Sequence, residues 1–500
     1  MGTTTEDPTV SRILLVLLAL SGLPRVSADD KVGVFEGRGD IGTVLRPGSV
    51  RYDDAARTYT VTGSGENMWF AADALHFAWA KASGDVALTA DVAFVGTGRN
   101  PHRKAVLAIR AGLDADSAYV DVAIHGDGLT SLQFRDAKGA NTHEIQTSAT
   151  SPARARLVRR GRYALLYLAA RGEELKFSGA AVRLEFDGPA YVGIGVCAHD
   201  KDVSETATFS NVELATALPT GTPVLYSTLE TQAMSSTDRR IVLVSPTRFE
   251  APNWLRDGRT LLYNGGGRLY RVPAAGGTPE VVDTGFAVRC NNDHGVSPDG
   301  TRLVVSDQSQ GDRKSRIYTL PAAGGTPMPV TPNGPSYWHG WSPDGQTLAF
   351  CGERNGEFDI YAIPVGGGDE TRLTTAKGLD DGPEFAPDGK HIYFNSVRSG
   401  RMQIWRMKPD GSEQEQITDD EFNNWFPHPA PDGRSLVFVS FDKDVTGHPA
   451  DKDVTLRRLT LADKKIDVLG RFLGGQGTAN VPCWSPDGRR IAFVTYQLVP

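Results

Sequence analysis

Six copies of a short phrase ending in Asp-Gly divide the second half of this chain at nearly even intervals. Their aspartates are Asp257, Asp299, Asp344, Asp388, Asp432 and Asp487, spaced 42, 45, 44, 44 and 55 residues apart, and Pro precedes all but the first. A period of this size marks a propeller, in which each copy is one blade of four antiparallel strands. An alternating apolar strand follows each copy, as at Thr347, Leu348, Ala349 and Phe350, so the phrase is the hairpin turn ahead of it. Pro presets φ, Asp bonds its own backbone and Gly takes the positive φ of a tight turn. An Asp at the same turn of every blade serves the blade, not a calcium ion or a reaction. The chemistry is expected where the copies differ.

The last copy ends after two strands, 481–484 and 491–496. A blade left half built exposes strand edges, so the strands ahead of the first copy, 224–229 and 240–245, are expected to complete it. The expectation is a six-bladed propeller over 220–500 whose closing blade is shared by both ends. This half resembles the TolB-like (PD40-type) family, on Trp341-Ser342-Pro343-Asp344-Gly345, Asp359-Ile360-Tyr361 and Arg372-Leu373-Thr374. The protein that names the family carries an α/β domain beside its propeller. This chain has strands there, so the resemblance implies the fold rather than a role in envelope transport.

Residues 31–215 lack the period and read as strands at 85–94, 105–110, 119–125, 131–135, 154–158, 163–169, 173–178, 191–196 and 206–214. With no amphipathic helix among them, two packed sheets are expected, as a jelly-roll sandwich, making the chain all-β. The half resembles the concanavalin-like modules of secreted bacterial proteins, carried by Gly84-Asp85-Val86-Ala87-Leu88, Arg103-Lys104-Ala105-Val106-Leu107, Val192-Gly193-Ile194-Gly195-Val196 and Phe209-Ser210-Asn211-Val212. That superfamily often binds carbohydrate. Here His125-Gly126-Asp127-Gly128 and His199-Asp200-Lys201-Asp202 could line a sugar or calcium site, although such residues are ordinary in turns.

Residues 1–28 look like a cleaved signal peptide: Arg12, an apolar run over 13–20, then Val26-Ser27-Ala28. The run is too short to span a bilayer comfortably and no other segment approaches that length, so a periplasmic or secreted protein without a membrane span is expected. A net charge of −7 and the absence of a long basic run argue against a nucleic-acid partner. Four scattered cysteines are too few for a disulfide scaffold and are expected to be small buried residues.

Five residues before the turn Asp the blades carry Pro252, His294, His339, Pro383, Pro427 and Pro482, so two adjacent blades replace proline with histidine. His428 stands one place further along the fifth blade. Arg289, Asn292, Asp293, Trp338, Asp381, Asn424, Trp425, Gln476 and Asn480 precede or accompany these positions, on the ring face opposite the Pro-Asp-Gly turns. Three functions follow. In the first, Trp338 and Trp425, with Tyr337 as a third ring, stack on sugar rings while Asn292, Asp381 and Asn424 bond hydroxyls of an oligo- or polysaccharide. In the second, His294, His339 and His428, with Gln476 in reserve, hold one divalent ion, manganese, zinc or calcium. That set resembles the propeller oligogalacturonate lyases, which implies a metal-dependent polysaccharide lyase with Arg289 as a candidate for substrate binding or proton transfer. The third is a protein-interaction platform with an envelope protein as partner. The bland alternative is a channel plugged by side chains that bond one another.

Overall fold

The computed structural model describes Gly2 and residues 31–500; the remainder of the expected signal peptide lies outside the described residues. No helix among the described residues is long and apolar enough to cross a membrane. The protein is all-β, with two large N-terminal sheets followed by a propeller.

One N-terminal sheet has seven strands, ordered Lys176–Arg183, Tyr163–Ala169, Arg154–Arg160, Val86–Phe94, Asp200–Ala215, Thr58–Gly65 and Ser49–Asp53. The facing sheet runs Gly37–Ile41, Leu75–Ala82, Ala190–Cys197, Lys104–Arg110, Tyr119–His125, Thr130–Arg135 and His143–Gln146. Leu88, Leu157, Leu166 and Phe209 of the first sheet meet Leu107, Ile109, Val122 and Ile194 of the second in one apolar core. Five of these strands, 37–41, 49–53, 58–65, 75–82 and 143–146, escape the sequence reading. Leu75–Ala82 explains one omission: its first six residues are all buried, so the period-two contrast that marks a half-exposed strand is missing.

The facing sheet does not stop at His143–Gln146. That strand pairs in parallel with Arg239–Ser245, matching Ile145 to Arg239 and Gln146 to Arg240, and so runs into the propeller. There Arg239–Ser245 pairs with Val224–Ala233, which pairs with Arg490–Val499 over ten residues, and a bridge between Trp484 and Ile491 adds the innermost segment. Arg240 to Ser245 therefore forms the outer strand of this group; the direct partner of the C-terminal strand is Val224–Ala233.

Five four-stranded blades complete the ring, with innermost strands Glu250–Trp254, Cys290–Val296, Ser336–Trp341, Asp380–Phe385 and Asn423–Pro429. The repeated aspartates do turn work. Asp299 Oδ1 accepts from Ser297 Oγ at 2.5 Å and from the Thr301 amide at 3.0 Å; Asp344 repeats this with Ser342 and Gln346, and Asp487 with Ser485 and Arg489. All four cysteines are free and buried.

Candidate functional site

The inner strands deliver their variable ends to a cavity of about 440 Å³ lined by Asn291, Asn292, Asp293, Tyr337, His339, Asp381, Phe426, His448, Gln476 and Asn480, with Gln308, Cys351, Phe358 and Leu379 at its edges. Two backbone features shape the Asp381 side. Gly382 adopts φ +63, where a side chain would be strained, and its amide donates to Asp381 Oδ1 at 2.8 Å. Phe426 also takes a positive φ, within an irregular stretch between Trp425 and His428, and its amide is held by Asn395 Oδ1 at 3.0 Å.

The approach to the last blade crosses between blades here. The carbonyl of Gly477 accepts the Ala251 amide of the first blade at 2.7 Å. The carbonyl of Asn480 accepts His339 Nδ1 of the third blade at 3.2 Å, and that of Ala479 accepts His428 Nε2 of the fifth at 3.0 Å. Asn480 Oδ1 takes the Gly477 amide at 2.7 Å, and its Nδ2 donates to Gln476 Oε1 at 3.0 Å. Three alternate blades are thus tied to one segment, which floors the cavity.

His339 is the charged centre. Its Nε2 lies 3.2 Å from Asp381 Oδ1 while its Nδ1 donates to the Asn480 carbonyl, so both nitrogens face acceptors. Burial alone would push the imidazolium down; the hydrogen bond and charge of Asp381, with the charge of Asp293, override it and hold the pKa up at about 9. Asp381 sits below the usual carboxylate value, because bonding to His339 and the nearby His448 outweigh its burial. Asp293 goes the other way. Burial, with Asp381 adding to it against the pull of His339, lifts its carboxyl to about 7. His448 joins the cluster with Nε2 3.8 Å from Asp381 Oδ2, its Nδ1 bonded to Gln476 and its ring edge-on to Trp425 at 4.4 Å.

The structure does not bring the three sequence-predicted histidines together as one metal centre. His428 Nδ1 lies 2.7 Å from Glu384 Oε2 and its Nε2 faces the Ala479 carbonyl. His339 and His428 therefore point their nitrogens at protein acceptors, and a nitrogen that donates a proton has no lone pair left for a metal. His294 is fully buried, with neither nitrogen hydrogen-bonded among the described residues, and burial pushes it down to about 3, so it stays neutral. Sequence spacing placed all three near the axis but could not tell which side of a strand each ring takes.

Of the predicted ligand contacts, Asn292, Asp293, Asp381, Gln476 and Asn480 line the cavity. Trp338 and Trp425 are each 1% exposed and have no face to offer a sugar in this cavity. The Trp338 ring is seated against Gly295, where an added Cβ would lie 2.2 Å from it. Asn424 is also fully buried, bonded to Gln403, Asp420 and Ser440, and Arg289 is exposed outside the lining. Phe358, Leu379, Phe426, Gln308 and Cys351 were missed; none interrupts the repeat in a way that marks it. A second cavity, of about 270 Å³, opens on the Pro-Asp-Gly face beside Trp254, Trp341 and Trp484. Its signal was present, since those tryptophans all stand three residues before a turn Asp. The first cavity is the better candidate, because Asp293, His339 and Asp381 converge there with displaced pKa values beside Asn292, Gln476 and Asn480, whereas the lining of the second is dominated by proline and tryptophan.

Comparison with known proteins places the propeller. The TolB beta propeller domain model matches residues 333–467. An uncharacterized protein of Agrobacterium fabrum is 50% identical over 273 residues, covering 54% of this chain and 93% of its own length. A TolB candidate of solved structure from Agrobacterium tumefaciens is 51% identical, with a TM-score of 0.53, over 55% of this chain and 99% of its own. A manganese-bound oligogalacturonate lyase is 14% identical over 54% of this chain and 78% of its own, with a TM-score of 0.36, too remote to bear on chemistry. On the strength of the relative that it covers almost end to end, this chain belongs to the TolB-like β-propeller family.

Proposed function

We propose that this chain is an exported TolB-like protein, with a jelly-roll sandwich and a six-bladed ring closed by strands from both ends, that binds the terminus of an oligosaccharide in the His339–Asp381 cavity. The observation that carries this reading is the pairing of two walls in one pocket of ligand size. Asp293, Asn292 and Gln476 offer hydrogen-bond partners for hydroxyls, while the half-buried rings of Tyr337 and Phe358 give an apolar surface for the C–H face of a pyranose. Of the three rings that the sequence suggested for stacking, Tyr337 lines the cavity, and Phe358 joins it in place of Trp338 and Trp425. A lyase reading has less support, since it required three histidines with free nitrogens on one ion.

Titration calorimetry of the purified full chain against a panel of neutral and uronic oligosaccharides tests the reading. Binding by at least one member, weakened roughly tenfold or more by Tyr337→Ala and by Asp293→Ala, is expected. If no member binds at millimolar concentration, or if binding is untouched by both changes, the cavity is not a glycan site. In that event, recovery of an envelope protein whose binding depends on the same residues would favour the interaction platform.

A further inference from the structure

Three neighbouring strands of the larger sheet end in line. Cys197 pairs with Lys104, and Lys104 pairs with His125. Just beyond that line stand His199, two residues after Cys197, and His102, two residues before Lys104, while His125 itself closes the third strand. Asp127 follows in the turn. Segments up to about a hundred residues apart therefore meet at one end of the sandwich.

His102, His125 and Asp127 each present a ligand atom within 4.8 Å of the others. The His102 ring centroid lies 5.7 Å from that of His125 and 5.5 Å from that of His199. His125 is only 6% exposed, yet neither of its nitrogens has a hydrogen-bond partner among the described residues, and the buried Nδ1 of His199 has none either. Polar groups in such surroundings are costly unless something satisfies them.

The cradle is built by the backbone. Asn100 donates from Nδ2 to the His199 carbonyl at 2.9 Å and accepts the His102 amide on Oδ1 at 2.8 Å. The Asp127 amide donates to the Pro101 carbonyl at 2.9 Å. Asp127 Oδ1 accepts the Leu129 amide at 3.0 Å, which leaves Oδ2 facing His102 Nδ1 at 3.9 Å. Next door, the buried ion pair of Arg103 with Glu205 at 2.7 Å anchors the His102 segment. Such bonds fix the backbone that carries the rings and hold one oxygen of the Asp127 carboxylate.

We infer that His102, His125 and Asp127, with His199 as the fourth ligand, bind one divalent transition-metal ion of the zinc class. Three imidazoles and one carboxylate form a tetrahedral nitrogen-rich donor set. Calcium and magnesium prefer six or more oxygens, which this corner does not supply. Closing the ligand atoms of His102, His125 and Asp127 from within 4.8 Å of one another onto an ion with bonds of about 2.0 to 2.2 Å needs ring rotations, for which His102 has the freedom because its side chain is half exposed; His199 stands outside that group of three and must turn toward it.

The test uses untagged full-length protein, stripped with a chelator and titrated with zinc against a chromophoric competitor, then with cobalt to read coordination from its visible spectrum. One equivalent of zinc, a tetrahedral cobalt spectrum and a higher Tm with zinc are expected. His102→Ala and Asp127→Asn alter exposed side chains and should leave the fold intact while each weakens zinc binding by about tenfold or more, as should His199→Ala. His339→Gln, in the propeller, should leave the stoichiometry at one. Less than one equivalent bound by the unaltered chain, or equal affinity in both the His102 and Asp127 variants, would overturn the assignment.

Discussion

Because His339 donates from both nitrogens to fixed acceptors, the folded protein holds a proton there that the unfolded chain would release. Its folded pKa, about 9, exceeds the ordinary 6.5, so its contribution is complete below 6.5 and disappears as the pH rises through 9. A shift of that size corresponds to something on the order of 3 kcal/mol. Asp293 slopes the same way in a lower window: with 3.8 raised to about 7, stability is greatest below 3.8 and falls as the pH rises through 7. Urea unfolding followed from pH 7 to 10 should therefore show declining stability, flattened by His339→Gln; at lower pH the buried neutral His294 slopes the other way, so the Asp293 contribution is read between pH 4 and 7 as the difference between wild type and Asp293→Asn. A flat wild-type profile would refute the assignment. The turn aspartates behave differently: Asp299→Ala should lower Tm by a few degrees and leave binding in the cavity unchanged, since among the described residues Asp299 bonds only Ser297 and Thr301. Histidine in place of the repeat's proline made the His339 region legible in the sequence. The tryptophans misled because side chains alternate along a strand: Tyr337 and His339 face the cavity, and Trp338 between them turns toward the neighbouring blade.

At the scale of elements, the outer strands of the first four blades are two residues long: Glu280–Val281, Met328–Pro329, Thr371–Arg372 and Glu415–Gln416. Such short edges resist pairing with other chains. The closing group is built on a different plan, from ten-residue strands. Val224–Ala233 and Arg490–Val499 match along their whole length, and Leu229, Ala492 and Val494 are fully buried between them and the first blade. Removing residues 490–500 should therefore abolish the folded propeller, seen as loss of near-ultraviolet dichroism and of a cooperative unfolding transition; retention of both would show that the ring closes without this strand. The strands ahead of the first copy were legible in the sequence as candidate partners, because they lie outside the six repeats. The pairing order was not, since it depends on where the chain enters the ring.

For the whole molecule, the shared sheet makes the sandwich and the propeller mechanical neighbours. Besides the pairing of Ile145 with Arg239, Tyr163 bonds Asp453 of the fifth blade, Arg183 lies 3.7 Å from the same carboxylate, and Val499 packs with Val158, Leu165 and Phe177 of the seven-stranded sheet. Calorimetry of the intact chain should give a single transition with matching calorimetric and van't Hoff enthalpies; two separated transitions would count against coupling. No periodicity in either half announces this junction, since it joins strands nearly a hundred residues apart through just two matched pairs.

A ring held shut by its own two ends has one weak point, the clasp where those ends meet. In this molecule the clasp lies under a cover, because the outer strand Arg239–Ser245 is already engaged by His143–Gln146. Unzipping from that outer edge would have to strip away the sandwich before it could reach the strands that fasten the circle, so the N-terminal half acts as a safety catch on the propeller's lifetime.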